Sequence, residues 1–252
     1  MKIYKMIILF MCISTFGLNA QSKIIAHRGY WKCEGSAQNS IASLKKAAEA
    51  KVYGSEFDVQ LTKDKVVVVN HDDNIDGIKI SEVNYSELSN IKLKNGECLP
   101  TIDDYIEAAK VYPDIRLILE IKPHLTIEEE NYIAENIVDK VKKNNIEHRV
   151  EYISFSMNIC EQLVKLSPTS SISYLNGDVS PTDLFKKGIN GIDYNVKVIS
   201  NNPEWIKEAH SLGMKVNVWT VNKIEQIQEM LDLNVDFITT DYPELALKMA
   251  KK

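Results

Sequence analysis

Residues 55–60, Ser55-Glu56-Phe57-Asp58-Val59-Gln60, carry two patterns at once. Side chains two apart on a strand share a face. Ser55, Phe57 and Val59 therefore fall on one side, and Glu56 and Asp58 on the other. Residues 117–122 repeat the arrangement, with Leu117, Leu119 and Ile121 on one face and Glu120 and Lys122 opposite. In a parallel barrel the apolar faces meet an outer layer of helices. The charged faces then point inward near the C-terminal strand ends, where such barrels carry their active sites.

The flanking sequence supplies the rest of that barrel. Short apolar, β-branched runs at 23–26, 55–60, 117–121, 151–154, 171–174, 191–194, 215–219 and 237–240 predict its main strands. A further short strand at 66–70 stands apart as an addition. Helical patterns lie between them. Residues 40–50 place Ile41, Leu44, Ala47 and Ala48 on one face, 102–110 read as helical, and 127–143 follow Thr126 as an N-cap. Further helices start near Met157, Thr182, Pro203 and Lys223, and Pro243 opens the last. Residues 72–114 are polar and less regular, with turn signals at Asp76-Gly77 and Asn95-Gly96. The expectation is an α/β fold, a (β/α)8 TIM-type barrel. A doubly wound open sheet is the alternative, but the Gly-x-Gly-x-x-Gly fingerprint of a dinucleotide fold is absent.

The chain has 252 residues, 44% hydrophobic and 26% charged, enough for one large domain whose core needs no staples. Residues 1–20 differ from the remainder. Lys2 and Lys5 precede the apolar run Met6-Ile7-Ile8-Leu9-Phe10-Met11-Cys12-Ile13, and Ala20 closes the segment before Gln21. That is the layout of a secretory signal peptide, with an apolar run too short for a comfortable membrane span. The protein is expected to be exported, periplasmic or secreted, as a 21–252 domain with no stable membrane insertion after cleavage. An uncleaved anchor is the competing expectation. Cleavage leaves 28 Lys and Arg against 35 Asp and Glu, a formal charge of −7 with no basic stripe, which argues against nucleic acid as a partner. Cys33, Cys98 and Cys160 remain, so at most one disulfide forms, and without a C-x-x-C a structural zinc site is not expected. Nothing in the sequence sets an oligomeric state.

Glu56, Asp58 and Glu120 converging inside a barrel would repel one another and lose solvation, a cost of several kcal/mol without a compensating cation. All-oxygen donors favour one hard divalent ion, Mg2+ or Ca2+. The competing reading has these acids solvated at strand ends, or paired with Lys122 or Arg28. His27 and Arg28 follow the first strand directly, and His71-Asp72 follows residues 66–70. Two histidines at such ends suit acid/base work, Arg28 offers a planar fork for phosphate oxygens, and Lys122 a point charge. Trp219 ends the seventh strand and is a candidate substrate contact, with Phe155, Tyr174 and Tyr194 weaker candidates. His124, His148 and His210 read as structural, and Ser36 and Ser40 as cap or loop contacts.

These residues resemble the glycerophosphodiester phosphodiesterase family. The resemblance rests on Ala26-His27-Arg28-Gly29, on residues 54–64 (GSEFDVQLTKD), on Val69-Asn70-His71-Asp72 and on Leu119-Glu120-Ile121-Lys122. Val218-Trp219-Thr220-Val221-Asn222 and Thr239-Thr240-Asp241-Tyr242-Pro243 complete it, in family order. It implies a TIM-type barrel with a small insertion after its second unit, about residues 73–115, that cleaves small glycerophosphodiesters into glycerol 3-phosphate and an alcohol. His27 and His71 would be the acid/base pair, Glu56, Asp58 and Glu120 the metal ligands, and Arg28 and Lys122 the phosphate contacts. The family's Pro-Glu-Asn-Thr-like motif is here Ala37-Gln38-Asn39-Ser40, so Gln38 keeps the size of Glu without its charge. Two other readings compete: a phospholipase-like enzyme acting on lipid head groups, and a non-catalytic module that binds phosphodiesters.

Overall fold

The structure, a computed structural model, describes residues 21–251. The expected signal peptide lies outside them. The chain runs β1 (Lys23–Ala26), α1 (Ile41–Glu49), β2 (Gly54–Leu61), β3 (Val67–Val69), β4 (Asn74–Ile75), β5 (Ile78–Lys79), α2 (Tyr85–Leu88) and α3 (Ile102–Ala109). It continues β6 (Arg116–Ile121), α4 (Ile127–Lys143), β7 (Val150–Ser154), α5 (Met157–Leu166), β8 (Ser171–Tyr174), α6 (Pro181–Lys186) and β9 (Gly191–Asn195). α7 (Val196–Asn201), α8 (Glu204–Ser211), β10 (Lys215–Trp219), α9 (Ile224–Asp232), β11 (Phe237–Thr240) and α10 (Pro243–Ala250) complete it.

Eight parallel strands close in the order β1-β2-β6-β7-β8-β9-β10-β11. β1 makes the closure, pairing Ile25 and Ala26 with Gly54 and Ser55 of β2 and with Thr239 and Thr240 of β11. An open doubly wound sheet is thereby excluded. β3 runs back antiparallel along the end of β2, Val59 opposite Val69, which accounts for its standing apart in the sequence.

The face alternation read on residues 55–60 divides two cores. Phe57, Leu119 and Ile137 belong to the large layer between strands and helices, where Phe57 stacks on Tyr105 of α3 with ring centroids 4.1 Å apart. Ile25, Ile118, Ile153, Leu175 and Phe237 fill the barrel itself. Tyr174 and Tyr194 fall in the outer layer, facing helices and not the mouth. Gly191 is required inside: a Cβ there would lie 2.2 Å from Ser173 Oγ across the β8–β9 pair.

Helix starts follow the expected chemistry. Ser40 Oγ accepts the Ser43 N–H and Thr126 Oγ1 the Glu129 N–H, caps worth about 1 kcal/mol each. Between β9 and β10 the sequence pattern placed one helix near Pro203, and the chain forms two. Asn195 accepts the Lys197 N–H to start α7, and α8 begins just beyond Pro203.

The insertion packs on its own small core of Val68, Ile80, Leu88 and Leu99. Asp76 and Gly77, both at positive φ, turn the β4–β5 hairpin. Glu97 reaches across to α1, where its carboxylate accepts the N–H groups of Ile41 and Ala42 at 2.9 and 3.1 Å. α3, by contrast, packs in the barrel's own helix layer through Tyr105 and Ile106. Among the described residues Cys33, Cys98 and Cys160 are all free thiols. No helix among them is long and apolar enough to cross a membrane.

Candidate active site

Register brings the acids together. Asp58 lies directly opposite Glu120 in the β2–β6 pair, and Glu56 sits two residues earlier on the same inward face. Glu56 is 3% exposed and Asp58 1%. One carboxylate oxygen from each of Glu56, Asp58 and Glu120 lies within 4.8 Å of the others. Burial, together with the Asp58 and Glu120 charges, pushes Glu56 well above the usual carboxylate range. Burial and the Asp58 charge push Glu120 up to about 8. Burial also pulls Asp58 upward, but the Lys122 and His71 charges and the Asn39 amide outweigh it and hold Asp58 below its ordinary value.

Lys122 joins the group from the end of β6. Its Nζ lies 2.7 Å from Asp58 Oδ1 and 2.6 Å from Glu120 Oε1. These are ion-pair distances, yet neither oxygen is in an aligned hydrogen bond among the described residues. Glu56 Oε1 is likewise buried without a partner. One lysine against three acids leaves excess negative charge and unsatisfied oxygens pointing at one another. That donor set fits a hard divalent cation, with Glu56, Asp58 and Glu120 as its ligands. The two readings of these acids, metal cradle and partners of Lys122, are therefore compatible.

The turn after β1 fits around this cradle. Arg28 and Gly29 both have positive φ, which points the Arg28 N–H at Glu56 Oε2, 2.6 Å away. Gly29 is obligatory there, since a Cβ would meet Ser43 Oγ at 2.2 Å. The Arg28 guanidinium donates to Gln38 Oε1 at 2.9 Å and sits 3.9 Å from Asp58 Oδ2. Gln38 thus orients Arg28. Asn39 grips Asp58 twice: its Nδ2 donates to Oδ2 at 2.8 Å, and its Oδ1 accepts the Asp58 N–H at 3.1 Å.

Each histidine is steered by a carboxylate. β1 and β11 are neighbours in register, so His27 and Asp241 leave the barrel side by side, with Nδ1 2.7 Å from Oδ1. Trp31 Nε1 and Asn222 Nδ2 also donate to Asp241. Burial raises Asp241, but the His27, Trp31 and Asn222 contacts prevail and lower it to about 2, so it stays ionised. His71 emerges beside Asp58 because β3 returns along β2: the Asn70 N–H donates to the Asp58 carbonyl, and Gln60 Nε2 to the His71 carbonyl. His71 Nδ1 lies 2.6 Å from exposed Asp72. Burial holds His71 below its ordinary value. His124 is turned back onto the Lys122 carbonyl.

These groups share a cavity of about 180 Å3. His27, Arg28, Glu56, His71, Glu120 and Lys122 form its charged wall. Ile153, Phe155, Leu175, Asp193, Trp219 and Thr239 form the other. Phe155 and Trp219 meet edge to face, centroids 5.5 Å apart, and Trp219 Nε1 donates to the Asp193 carbonyl at 2.8 Å. All eight residues assigned from the sequence, His27, Arg28, Glu56, Asp58, His71, Glu120, Lys122 and Trp219, converge here. Asn39, Asp193, Asn222 and Asp241 had no assigned role. Asn222 and Asp241 stand just past strand ends and within the stretches that carry the family resemblance, and these are the sequence signals that single them out.

The sequence profile of the Glycerophosphoryl diester phosphodiesterase family matches residues 27–245. A glycerophosphodiester phosphodiesterase of Caldanaerobacter subterraneus subsp. tengcongensis is 29% identical over 243 residues, covering 91% of this chain and 98% of its own length. A crystal structure of a glycerophosphodiester phosphodiesterase from Parabacteroides distasonis is 49% identical, covers 92% of this chain and 97% of its own, and superposes with a TM-score of 0.91. An Oleispira antarctica phosphodiesterase, solved in complex with the product sn-glycerol-3-phosphate, shares the fold at 23% identity and a TM-score of 0.78, covering 92% of this chain and 98% of its own. With the profile matched over most of its length and a barrel mouth of this chemistry, the chain belongs to the glycerophosphoryl diester phosphodiesterase family.

Proposed function

We propose that the protein hydrolyses glycerophosphodiesters to glycerol 3-phosphate and an alcohol through a His27/His71 pair, beside a divalent ion, Mg2+ or Ca2+, held by Glu56, Asp58 and Glu120. The observation that carries this reading is that two carboxylate-steered histidines face the same cavity as a buried, all-oxygen triad. The product bound in the Oleispira antarctica relative supports the substrate class.

When bound, the ion neutralises charge on the phosphoryl oxygens. The chain's own groups do the rest. Arg28, oriented by Gln38, offers its free guanidinium N–H groups to a phosphoryl oxygen, and Lys122 adds a second positive centre. With Nδ1 committed to Asp241 or Asp72, each imidazole exchanges protons through Nε2. One accepts the proton of the attacking oxygen, and the other gives a proton to the departing alcohol. The attacking oxygen is water, or the glycerol hydroxyl beside the ester by way of a cyclic phosphate. Early phosphorus NMR spectra separate these routes.

The decisive experiment offers a panel of glycerophosphodiesters to protein stripped with a chelator and then reloaded with single divalent ions. Glycerol 3-phosphate should appear only after reloading. Product from no substrate under any ion, or full turnover by demonstrably metal-free protein, would overturn the reading. Export rests on the Lys2, Lys5 and Met6–Ile13 pattern alone. N-terminal sequencing of protein from fractionated cells should find Gln21 first, outside the cytoplasm. An intact Met1 end on the mature cytoplasmic protein sinks that expectation.

A further inference from the structure

The insertion meets the loop after β1 through one short hairpin. Lys92 pairs with Cys98, and Gly96, at positive φ, turns the chain between them. The turn brings Glu97 to the start of α1, where its carboxylate accepts the Ile41 N–H at 2.9 Å and the Ala42 N–H at 3.1 Å. Asn95 Nδ2 adds a longer tie to the Gly35 carbonyl, at 3.4 Å. A carboxylate on the first N–H groups of a helix is favoured by the helix dipole, and both of its bonds are charge-assisted. α1 already has its own cap, since Ser40 Oγ takes the Ser43 N–H. Glu97 therefore does more than start the helix: it fixes where that start sits against the insertion.

Immediately before α1 stand the residues that hold the charged wall. Ser40 Oγ donates to the Ala37 carbonyl and Ser43 Oγ to the Ser40 carbonyl, both at 2.8 Å, so residues 37–43 are tied into one knot. Within it Gln38 orients the Arg28 guanidinium and Asn39 grips Asp58 twice. Asn39 has a φ of 59°, a left-handed backbone that persists only where the surroundings hold it. Just past Glu97 the same segment reaches β3. Leu99 shares the insertion core with Val68, and the Pro100 carbonyl accepts the Val69 N–H at 2.9 Å. β3 delivers His71. Residues 97–100 thus join the strand of His71 to the loop of Gln38 and Asn39, without lining the cavity themselves.

We infer that Glu97 is a positioning residue for the charged wall: by locking the start of α1 it keeps Asn39 on Asp58 and Gln38 on Arg28. The inference deepens the metal-dependent hydrolysis reading and rests on it. The insertion then braces the site from behind, with Glu97 as the attachment.

The test compares Glu97→Ala with Ser180→Ala, which removes the side-chain cap of α6. Each variant loses bonds at a helix N-terminus, so the pair separates lost stability from lost positioning. Calorimetry well below either Tm measures affinity for Mg2+ and for Ca2+, and kcat/KM is read at saturating ion. Glu97→Ala should bind the ion that supports turnover about tenfold more weakly and lose about tenfold in kcat/KM. Ser180→Ala should change neither. Glu97→Gln keeps one acceptor for the two N–H groups and should fall between; it also carries the comparison if Glu97→Ala does not fold. A further readout involves no ion. In metal-free protein the Asp58 amide, held by Asn39 Oδ1, should exchange with solvent faster in Glu97→Ala than in Ser180→Ala. Equal losses in the two variants, or wild-type affinity and turnover in Glu97→Ala, would overturn the inference alone and leave Glu97 as a cap of α1. Wild-type protein that binds neither ion and turns over no ester fails the hydrolysis reading and takes the inference with it.

Discussion

The two walls of the barrel mouth obey different economies. The wall from β1, β2, β3 and β6 concentrates like charges, three buried acids with one lysine among them, a donor set that fits a cation. The wall from β7 to β10 continues the inner core of Ile153, Leu175 and Phe237 up to Phe155 and Trp219, held by packing and by the Trp219 hydrogen bond to the Asp193 carbonyl. One wall thus gathers charge at some cost to stability, while the other follows from the packing of the inner core.

The largest effects should come from the charged wall. His27→Ala and His71→Ala should each lower kcat by roughly two to four orders of magnitude while calorimetric binding of the divalent ion persists. Near-normal turnover in either variant would remove that histidine from the reaction. Asp241→Asn, which leaves His27 without its ionised partner, should cost roughly a hundredfold in kcat and alter the pH profile. An unchanged profile would show that Asp241 only braces the turn. On the opposite wall Phe155→Ala should raise KM by roughly fivefold and leave kcat and ion binding nearly intact, since an aromatic contact is worth about 1 kcal/mol. A loss in kcat instead would mean that the walls do not divide binding from chemistry.

The smallest effect tests the stability side of the contrast. Glu56 and Glu120 both sit above their unfolded values, Glu120 at about 8. A carboxyl raised in this way favours the fold below its unfolded value, near 4.5, and loses that contribution as pH climbs through the folded one. Metal-free protein should therefore melt at lower temperature at pH 8.5 than at pH 5, and added divalent ion should flatten the slope. Glu56→Gln relieves the repulsion and keeps an acceptor for the Arg28 N–H. It should raise the metal-free Tm by roughly 2–4 °C while abolishing activity. A lower Tm would mean that the cradle is not strained without its ion.

The charged wall was legible in the sequence because it is periodic: Glu56, Asp58, Glu120 and Lys122 share strand faces that alternate with Phe57, Leu119 and Ile121. The aromatic wall was barely legible, because an aromatic at a strand end reads alike whether it faces the mouth or a helix. Phe155 and Trp219 face the mouth, while Tyr174 and Tyr194, drawn from the same kind of position, pack outward. α7 was hidden because six residues after Asn195 are too few for a visible period.

What the sequence by itself determined is the barrel, its acid-bearing strands and the eight residues that meet at its mouth, since strand alternation and strand-end chemistry are local properties. Only the tertiary structure decided how those residues are held: Asp241 behind His27 across 214 positions, Asn39 on Asp58, Gln38 on Arg28, and Asp193 facing the acids from the far side. Such partners exist only once β1 closes the ring against both β2 and β11, and no local pattern carries that information.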